Sequence, residues 1–243
     1  MNYSDWEDLF ALSAPELWPR LGEASALRER HFGRRVSFCV IINAKSGMCS
    51  EDCAFCSQSA KASSQAPHYP LLPKEELVAA AQQAAAAGAS RFSLVTAGRG
   101  IMSPKDQSAM LAAVAAIKEA VPIRICASLG IVDRGFLAEL KAGGLYRFHH
   151  NLETAASFFP RICTTHTFAQ RVATIEHAQA VGLSVCAWAI SQRWGKVSPN
   201  PKIPPAHTDN PTSWAASMVA TRSAKVWVVQ IRGKKEAAVS RLW

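Results

Sequence analysis

Short apolar runs and longer amphipathic stretches alternate along the first 190 residues of the chain. The apolar runs are rich in β-branched and aromatic residues, which favour strands. They cover residues 36–44, 91–96, 123–129, 146–152 and 183–190. The stretches between them contain many alanines with apolar residues at helical spacing, which predicts helices. These cover residues 73–87, 103–120, 133–142 and 167–181, and a further helix is predicted at 4–31.

Residues typical of helix ends support these boundaries. Ser13 and Glu16 have the spacing of a capping box at the start of the first helix. Ser103 precedes a proline in the position of an N-cap, and Gly88 and Gly182 follow the last helical residues of two other segments. The helices are therefore separate units joined by short loops.

Strand alternating with helix indicates an α/β protein with a parallel sheet. No Gly-x-Gly-x-x-Gly motif follows the first strand, which disfavours a dinucleotide-binding fold. The first strand instead leads into a loop with three cysteines, where a (β/α) barrel of the TIM-barrel type places its chemistry. Five strand–helix steps fit before residue 190, so the barrel is predicted to be incomplete after the fifth strand.

The composition changes abruptly near residue 187. Beyond it, prolines and tryptophans cluster without helical or alternating pattern, and only residues 224–231 resemble a strand. We hypothesise that residues from about 187 onward are translated out of frame. The predicted organisation is a helical N-terminal segment, a partial barrel and an anomalous basic tail, at residues 1–35, 36–190 and 191–243.

The net charge of +9 comes mostly from this tail. Residues 187–243 hold nine Lys and Arg but only two acidic residues, so the charge does not indicate a nucleic-acid-binding face. No apolar run is long enough for a transmembrane helix, and residues 1–20 lack the basic start of a signal peptide. Seven cysteines without an export signal indicate a cytoplasmic protein whose cysteines serve metal binding or catalysis.

Cys49, Cys53 and Cys56 have the spacing C-x3-C-x2-C on one loop. Three thiolates can hold three irons of a [4Fe–4S] cluster and leave the fourth iron open for another ligand. Zinc would want a fourth protein ligand, for which His68 is the nearest candidate, and a disulfide would leave an odd thiol. In radical SAM enzymes the open iron binds the amino and carboxylate groups of S-adenosylmethionine.

Residues 36–186 resemble the biotin synthases of the radical SAM superfamily. The resemblance rests on the cysteine loop at 46–59, Ile-Cys-Ala-Ser-Leu-Gly at 125–130, His-His-Asn-Leu-Glu-Thr at 149–154, Ile-Cys-Thr-Thr-His-Thr at 162–167, and Leu-Ser-Val-Cys at 183–186. It implies that a reduced [4Fe–4S] cluster cleaves S-adenosylmethionine and that the resulting radical activates dethiobiotin. An auxiliary iron–sulfur cluster, [2Fe–2S] or a variant, would supply the sulfur.

The resemblance also implies partners and site residues. An electron donor such as flavodoxin or ferredoxin and a homodimer are expected, with neither nucleic acid nor membrane as a partner. No catalytic residue is expected beyond the cofactor ligands. Phe55 is expected near the adenine, Asn151 and Glu153 at the ribose, Arg171 near the methionine carboxylate, and His149 near the substrate. Each assignment has an alternative. Phe55 could pack within the loop, and Arg171 could be an exposed arginine on a helix. His149, Asn151 and Glu153 could be polar residues at the solvent end of a strand.

Cys126 and Cys186 match family ligands of the auxiliary cluster. Two departures accompany them. A further family cysteine would fall at Ser93, and the later strand that supplies an arginine ligand has no counterpart. A hydroxyl is a poor substitute for a thiolate toward iron. Either a different auxiliary cluster forms, drawing on Cys163, or sulfur insertion fails; Cys39 is expected in the core.

Two other functions stay open. The chain could be another radical SAM enzyme of the same subfamily, which would share the cysteine loop. It could also be a non-catalytic iron–sulfur-binding fragment, against which barrel closure would argue. Cys126, Cys186 and the segment 149–154 favour the biotin synthase type.

Overall fold

A computed structural model of the chain describes residues 12–34, 37–47, 49–63 and 66–188, together with the backbone of 228–231. One helix precedes a run of five strands that alternate with helices. In chain order the elements are α1 (Ala14–Phe32), β1 (Cys39–Lys45), α2 (Lys74–Ala86), β2 (Arg91–Thr96), α3 (Pro104–Ala120), β3 (Arg124–Ser128), α4 (Arg134–Gly143), β4 (Leu145–His149), α5 (Phe168–Ala180), β5 (Ser184–Cys186) and β6 (Val228–Ile231).

All strands lie in one sheet in the order β5-β4-β3-β2-β1-β6, and every pairing is parallel. Consecutive strands are neighbours from β1 to β5, as in a (β/α) barrel. This confirms the predicted α/β fold. Within the described part of the chain, β5 has no strand on its outer side and the sheet stays open. The predictions for residues 189–227 and 232–243 lie outside the described residues.

One face of the sheet is covered by helices. Val40, Ile42 and Ala44 of β1 point into the same buried core as Phe92 and Leu94 of β2. The helices contribute small and apolar side chains, and alanines on α2 and α3 allow them to approach the sheet closely. The alternate strand residues point to the opposite face, which corresponds to the concave side of a (β/α) barrel, where a barrel places its site.

Side chains cap the helices as their sequences predict. The Ser103 hydroxyl accepts from the Asp106 N–H at 3.0 Å, and the Glu16 carboxylate accepts from the Ser13 N–H at 2.8 Å. Each cap satisfies a polar group that the first helical turn leaves unpaired. Helix α1 itself contributes no buried residue. None of the described helices has the length and apolar character that a bilayer-spanning segment needs.

The fourth strand is shorter than its sequence predicts. It ends at His149 and not at residue 152, because the chain turns away from the sheet direction there. Glu153 adopts a left-handed backbone with φ of 66°, which a strand residue does not. Single hydrogen bonds replace the ladder, such as that from the Leu152 N–H to the Trp188 carbonyl at 2.8 Å. The fifth strand likewise ends at Cys186 among the described residues.

Candidate functional site

The three-cysteine loop leaves the carboxyl end of β1 and is anchored at both sides. Gln58 accepts from the Gly47 N–H at 2.8 Å and from the Ser46 hydroxyl at 3.2 Å. Ser46 and Tyr69 exchange backbone hydrogen bonds of 3.2 and 3.0 Å. These contacts join the start of the loop to Gln58 and Tyr69 and so restrict the positions of the cysteines between them.

The three thiols differ in exposure, and Cys56 interacts electrostatically with the other two. Cys53 is buried, while Cys49 and Cys56 are half-buried. Burial raises the pKa of Cys56, and the neighbouring Cys49 and Glu153 raise it further. Burial also raises the pKa of Cys53, with Cys56 contributing. Three thiols on one loop fit the donor set of an iron–sulfur cluster, whose binding must displace their protons.

Two acidic residues between the cysteines bind a distant segment of the chain. Asp52 accepts from the Thr164 N–H at 2.9 Å and from the Thr164 hydroxyl at 2.5 Å. The Thr165 hydroxyl donates to Glu51 at 2.7 Å. The hydrogen bonds from Thr164, with that from Lys61, hold the pKa of Asp52 far below its usual range. We call this contact the loop clasp: Glu51 and Asp52 held by Thr164 and Thr165.

His166 extends the clasp into the interior. Its Nδ1 lies 2.5 Å from Glu51 Oε2, and its Nε2 accepts from Arg171 Nε at 3.0 Å. Burial lowers the pKa of His166, and burial by itself would raise the pKa of Glu51. Hydrogen bonds from Thr165 and His166 outweigh burial at Glu51 and lower its pKa. The ring is therefore neutral, donating from Nδ1 to an ionised Glu51.

Arg171 brings together three of the residues predicted to bind S-adenosylmethionine. Its Nη1 donates to the Asn151 carbonyl at 2.7 Å and lies 3.5 Å from Glu153 Oε1. Burial raises the pKa of Glu153, against the opposing effects of Arg171 and Asn151. Glu153 also acts electrostatically on Cys56. The arginine is thus buried beside the cysteine loop, and the alternative of an exposed helix arginine is wrong.

An apolar cluster backs the cysteine loop. Phe55 packs against the group formed by Cys53, Phe159, Ile162 and Cys163. The Ala54 N–H, next to Phe55, donates to the Ile162 carbonyl at 2.8 Å. Phe55 therefore has the packing role that was its alternative, and its contact with an adenine stays a prediction.

The residues predicted for the auxiliary site lie on the concave face. Cys126 is fully buried, outside the helix-side core, and pairs in register with Ser93 on β2. Cys186 is exposed and pairs with His149 across β4 and β5. Burial raises the pKa of Cys126 to about 12, with Cys186 among the smaller contributions. Burial, with Arg147 and Arg91, lowers the pKa of His149 to about 4. Their ligand roles stay predictions.

Two cysteines differ from their expected places. Cys39 is half-buried and lies outside the helix-side core, so its assignment to that core is wrong. Strand alternation puts it on the concave face, and it interacts electrostatically with Cys126 and Cys186. Cys163, considered for the auxiliary cluster, lies with its sulfur 3.7 Å from that of Cys53. It therefore lies beside the three-cysteine loop, in contact with Cys53.

Sequence reasoning gave no role to Glu51, Asp52, Thr164, Thr165 or His166. All five lie in the stretches that carry the family resemblance. Two of them, Glu51 and Asp52, lie between Cys49 and Cys53 in the sequence, which is a signal for a role at the loop. Their partners could not be predicted, because Asp52 and Thr164 are 112 residues apart and local patterns do not reveal such a contact.

Comparison with known proteins identifies related chains. Residues 45–190 match the family described as the Radical SAM superfamily. The biotin synthase of Desulforudis audaxviator (strain MP104C) is 50% identical over 171 residues, covering 70% of this chain and 52% of that protein. The biotin synthase of Trichlorobacter lovleyi is 47% identical over 178 residues, covering 73% and 54%. The chain thus spans about half the length of the curated relatives it matches.

Solved structures share the fold at lower identity. Methylornithine synthase superposes with a TM-score of 0.66 at 23% identity, covering 76% of this chain and 54% of that one. The FeFe-hydrogenase maturase HydG from Carboxydothermus hydrogenoformans gives 0.62 at 22% identity, covering 74% and 43%. These similarities concern the fold alone.

Proposed function

We propose that this chain, which belongs to the radical SAM superfamily, carries the cluster-binding and S-adenosylmethionine-binding part of a biotin synthase. The observation that carries the proposal is the Arg171 network, which joins Asn151 and Glu153 to the three-cysteine loop through His166 and Glu51. The family implies a [4Fe–4S] cluster and S-adenosylmethionine. The match to biotin synthases supports dethiobiotin as the substrate.

When bound, the cluster supplies one-electron reduction of S-adenosylmethionine, which generates the radical. The chain's own residues bind and orient around that chemistry. The three thiolates would hold the metal, and the loop clasp fixes the loop against residues 164–165. Glu153, with Asn151, would accept from ribose hydroxyls. Arg171 would meet the methionine carboxylate, because a guanidinium fork matches a carboxylate. The apolar cluster with Phe159 and Ile162 excludes water from behind Cys53.

We further propose an auxiliary iron–sulfur site at Cys126 and Cys186, with His149 nearer the substrate. Their common concave face supports it. The residues present do not reproduce a full thiolate set, because the hydroxyl of Ser93 stands beside Cys126. We therefore assign no step to that site. If the site forms, Ser93→Cys should raise the iron and sulfide bound beyond the first cluster, and no rise would refute the placement of Ser93.

The remaining partners follow from the family. We propose a small one-electron donor such as flavodoxin or ferredoxin, and a homodimer. A reducing, cytoplasmic compartment suits the seven cysteines, all of which lie in the described part of the chain as free thiols.

Anaerobic reconstitution with iron and sulfide tests the proposal. The wild-type chain should gain the absorbance of a [4Fe–4S] cluster, and Cys53→Ala should lose roughly four irons and four sulfides per chain. Cys39→Ala is the matched control and should keep them. The reconstituted chain should also bind S-adenosylmethionine with a change in the cluster's electron paramagnetic resonance spectrum. A Cys53→Ala variant with full cluster absorbance would refute the ligand assignment. A cluster that binds no S-adenosylmethionine would indicate the non-catalytic fragment.

A further inference from the structure

A second donor set shares Cys53 with the three-cysteine loop. The side chains of Cys53, Cys163 and His166 are all buried, and one ligand atom from each lies within 4.8 Å of the others. The Cys53 and Cys163 sulfurs are 3.7 Å apart, and the Cys163 sulfur lies 3.2 Å from His166 Nδ1 and 3.8 Å from Nε2. We call this group the thiol–imidazole triad. Neither Cys163 nor His166 has a place in the cluster function proposed above.

These spacings suit one ion shared by all three ligands. A tetrahedral zinc ion with Zn–S bonds of about 2.3 Å and Zn–N bonds of about 2.0 Å separates its sulfurs by about 3.8 Å, and sulfur from nitrogen by about 3.5 Å. The thiolates of an iron–sulfur cluster each bind a different iron and lie farther apart. The close pair formed by Cys53 and Cys163 therefore matches a mononuclear site.

The surroundings of His166 are also those of a metal ligand. A ligating histidine commonly donates its second ring N–H to a carboxylate, which fixes the tautomer and orients the ring. Here Nδ1 is held by Glu51 at 2.5 Å, leaving Nε2 as the atom that can bind a metal. Arg171 Nε occupies that position at 3.0 Å and would have to withdraw. Its Nη1 keeps the hydrogen bond of 2.7 Å to the Asn151 carbonyl.

We propose that the cluster-free chain binds one zinc-class divalent cation through Cys53, Cys163 and His166 Nε2. Two sulfur ligands and one imidazole favour a borderline-soft ion and disfavour magnesium or calcium. The fourth position is left to water. Since Cys53 serves both sites, the bound cation and the iron–sulfur cluster exclude each other. This exclusion rests on the proposed cluster function, whereas the cation site itself does not.

Cobalt(II) titration of the cluster-free, full-length chain under anaerobic conditions tests the site. Cobalt(II) takes the same ligands as zinc and reports tetrahedral sulfur coordination through its visible and near-ultraviolet absorption. One equivalent should bind, with charge-transfer bands from two thiolates. Cys163→Ala should weaken binding by about tenfold or more, and Glu51→Gln by about 10- to 100-fold through His166. Cys39→Ala, which removes a thiol elsewhere in the chain, should bind as the wild type does.

Cys163→Ser separates loss of the ligand from loss of the fold, because serine keeps the side-chain size and lacks the soft sulfur. Its circular dichroism spectrum should match that of the wild type. Equal cobalt affinity and band intensity in wild type and both Cys163 variants would overturn the proposal, since Cys49 and Cys56 would then be the partners of Cys53.

A competition experiment tests the exclusion. Zinc added before iron and sulfide should suppress cluster assembly in the wild type and have little effect in Cys163→Ala. Equal suppression in both would overturn the exclusion. A wild-type chain that assembles no cluster even without zinc would refute the proposed function. The cation site would then be judged by the cobalt titration alone.

Discussion

At the scale of single residues, Arg171 holds more of the site together than any sequence pattern suggests. One guanidinium contacts the imidazole of His166, the carbonyl of Asn151 and the carboxylate of Glu153, and it lies over the Phe159 ring at 5.4 Å. A planar fork with several fixed donors can do this, whereas an ammonium acts as a single point. The segments after β4 and before α5 are joined through this side chain.

We predict that Arg171→Lys lowers the free energy of unfolding by about 1–3 kcal/mol, because buried acceptors lose their donors. Urea denaturation followed by circular dichroism measures the change. Arg134→Lys, at an exposed position at the start of α4, is the control and should stay within about 0.5 kcal/mol of the wild type. Equal stability of Arg171→Lys and the wild type would contradict the role given to the guanidinium.

His150 should make the fold sensitive to mild acid. It is 5% exposed, and burial, with Arg171 and His166, lowers its pKa from 6.5 to about 3. Between these values the unfolded chain binds a proton that the folded chain does not, so stability is complete above about pH 6.5 and falls on acidification. From pH 7.5 to 5 the loss from this residue is about 2 kcal/mol.

His150→Gln should remove that part of the pH dependence and leave the part due to His149. Urea denaturation at the two pH values measures it, with the exposed His31→Gln as the control. A pH dependence unchanged by His150→Gln would contradict the prediction.

At the scale of elements, the turn between β1 and the cysteines depends on a glycine. Gly47 has φ of 69°, and a Cβ at this position would collide with the His68 ring. His68, considered above as a zinc ligand, thus lies beside the turn. The turn needs both the left-handed backbone and the empty space that glycine provides.

We predict that Gly47→Ala lowers both the free energy of unfolding, by about 1–3 kcal/mol, and the amount of cluster assembled. Gly22→Ala is a control of opposite sign. Gly22 lies inside α1, and beyond its two chain neighbours and the backbone of its own helix no atom lies within 4 Å of the point that a Cβ would occupy, so alanine there should stabilise the chain by up to about 1 kcal/mol. Thermal unfolding and iron content measure the two effects. Normal loading in Gly47→Ala would show that the turn tolerates a side chain.

The sequence predicts the strand and helix order well, because periodicity and caps are local signals. Ser103 and Asp133 start their helices as expected, with cap hydrogen bonds of 3.0 and 2.9 Å. It overextends β4, because residues 150–152 are strand-like in composition, whereas the chain leaves the strand direction after His149 and Glu153 turns toward Arg171. The three-cysteine loop is likewise predictable from spacing. The loop clasp is not, since it joins residues that only the folded chain brings together.

At the scale of the whole molecule, the sheet has two different edges. The backbone of Val228–Ile231 pairs with Cys39–Ile42 on the outer side of β1. In the described sheet β5 lies at the other edge. An open strand edge offers unpaired backbone groups to other chains. The strand at Val228–Ile231 agrees with the strand-like composition of residues 224–231. The hypothesis of an out-of-frame tail stays a prediction, which the nucleotide sequence around codon 187 would test.

We predict that a chain ending at residue 227 exchanges amide hydrogens faster at Cys39–Ile42, because alternate amides of β1 lose their partners in β6. Hydrogen exchange followed by mass spectrometry measures this. The pairing of β3 with β4 is the internal control and should keep its protection. Equal protection of β1 in both chains would show that β6 contributes nothing to the sheet in solution.

The loop clasp can form only late in the synthesis of the chain. Asp52 leaves the ribosome 112 residues before its partner Thr164. At roughly 5–20 residues per second, the cysteine loop is exposed without its clasp for on the order of 10 s. During that interval its thiols can react with metal ions or oxidants in solution. Cluster delivery to a finished loop therefore has to follow translation past residue 164, and contacts of such long range make this region late to fold.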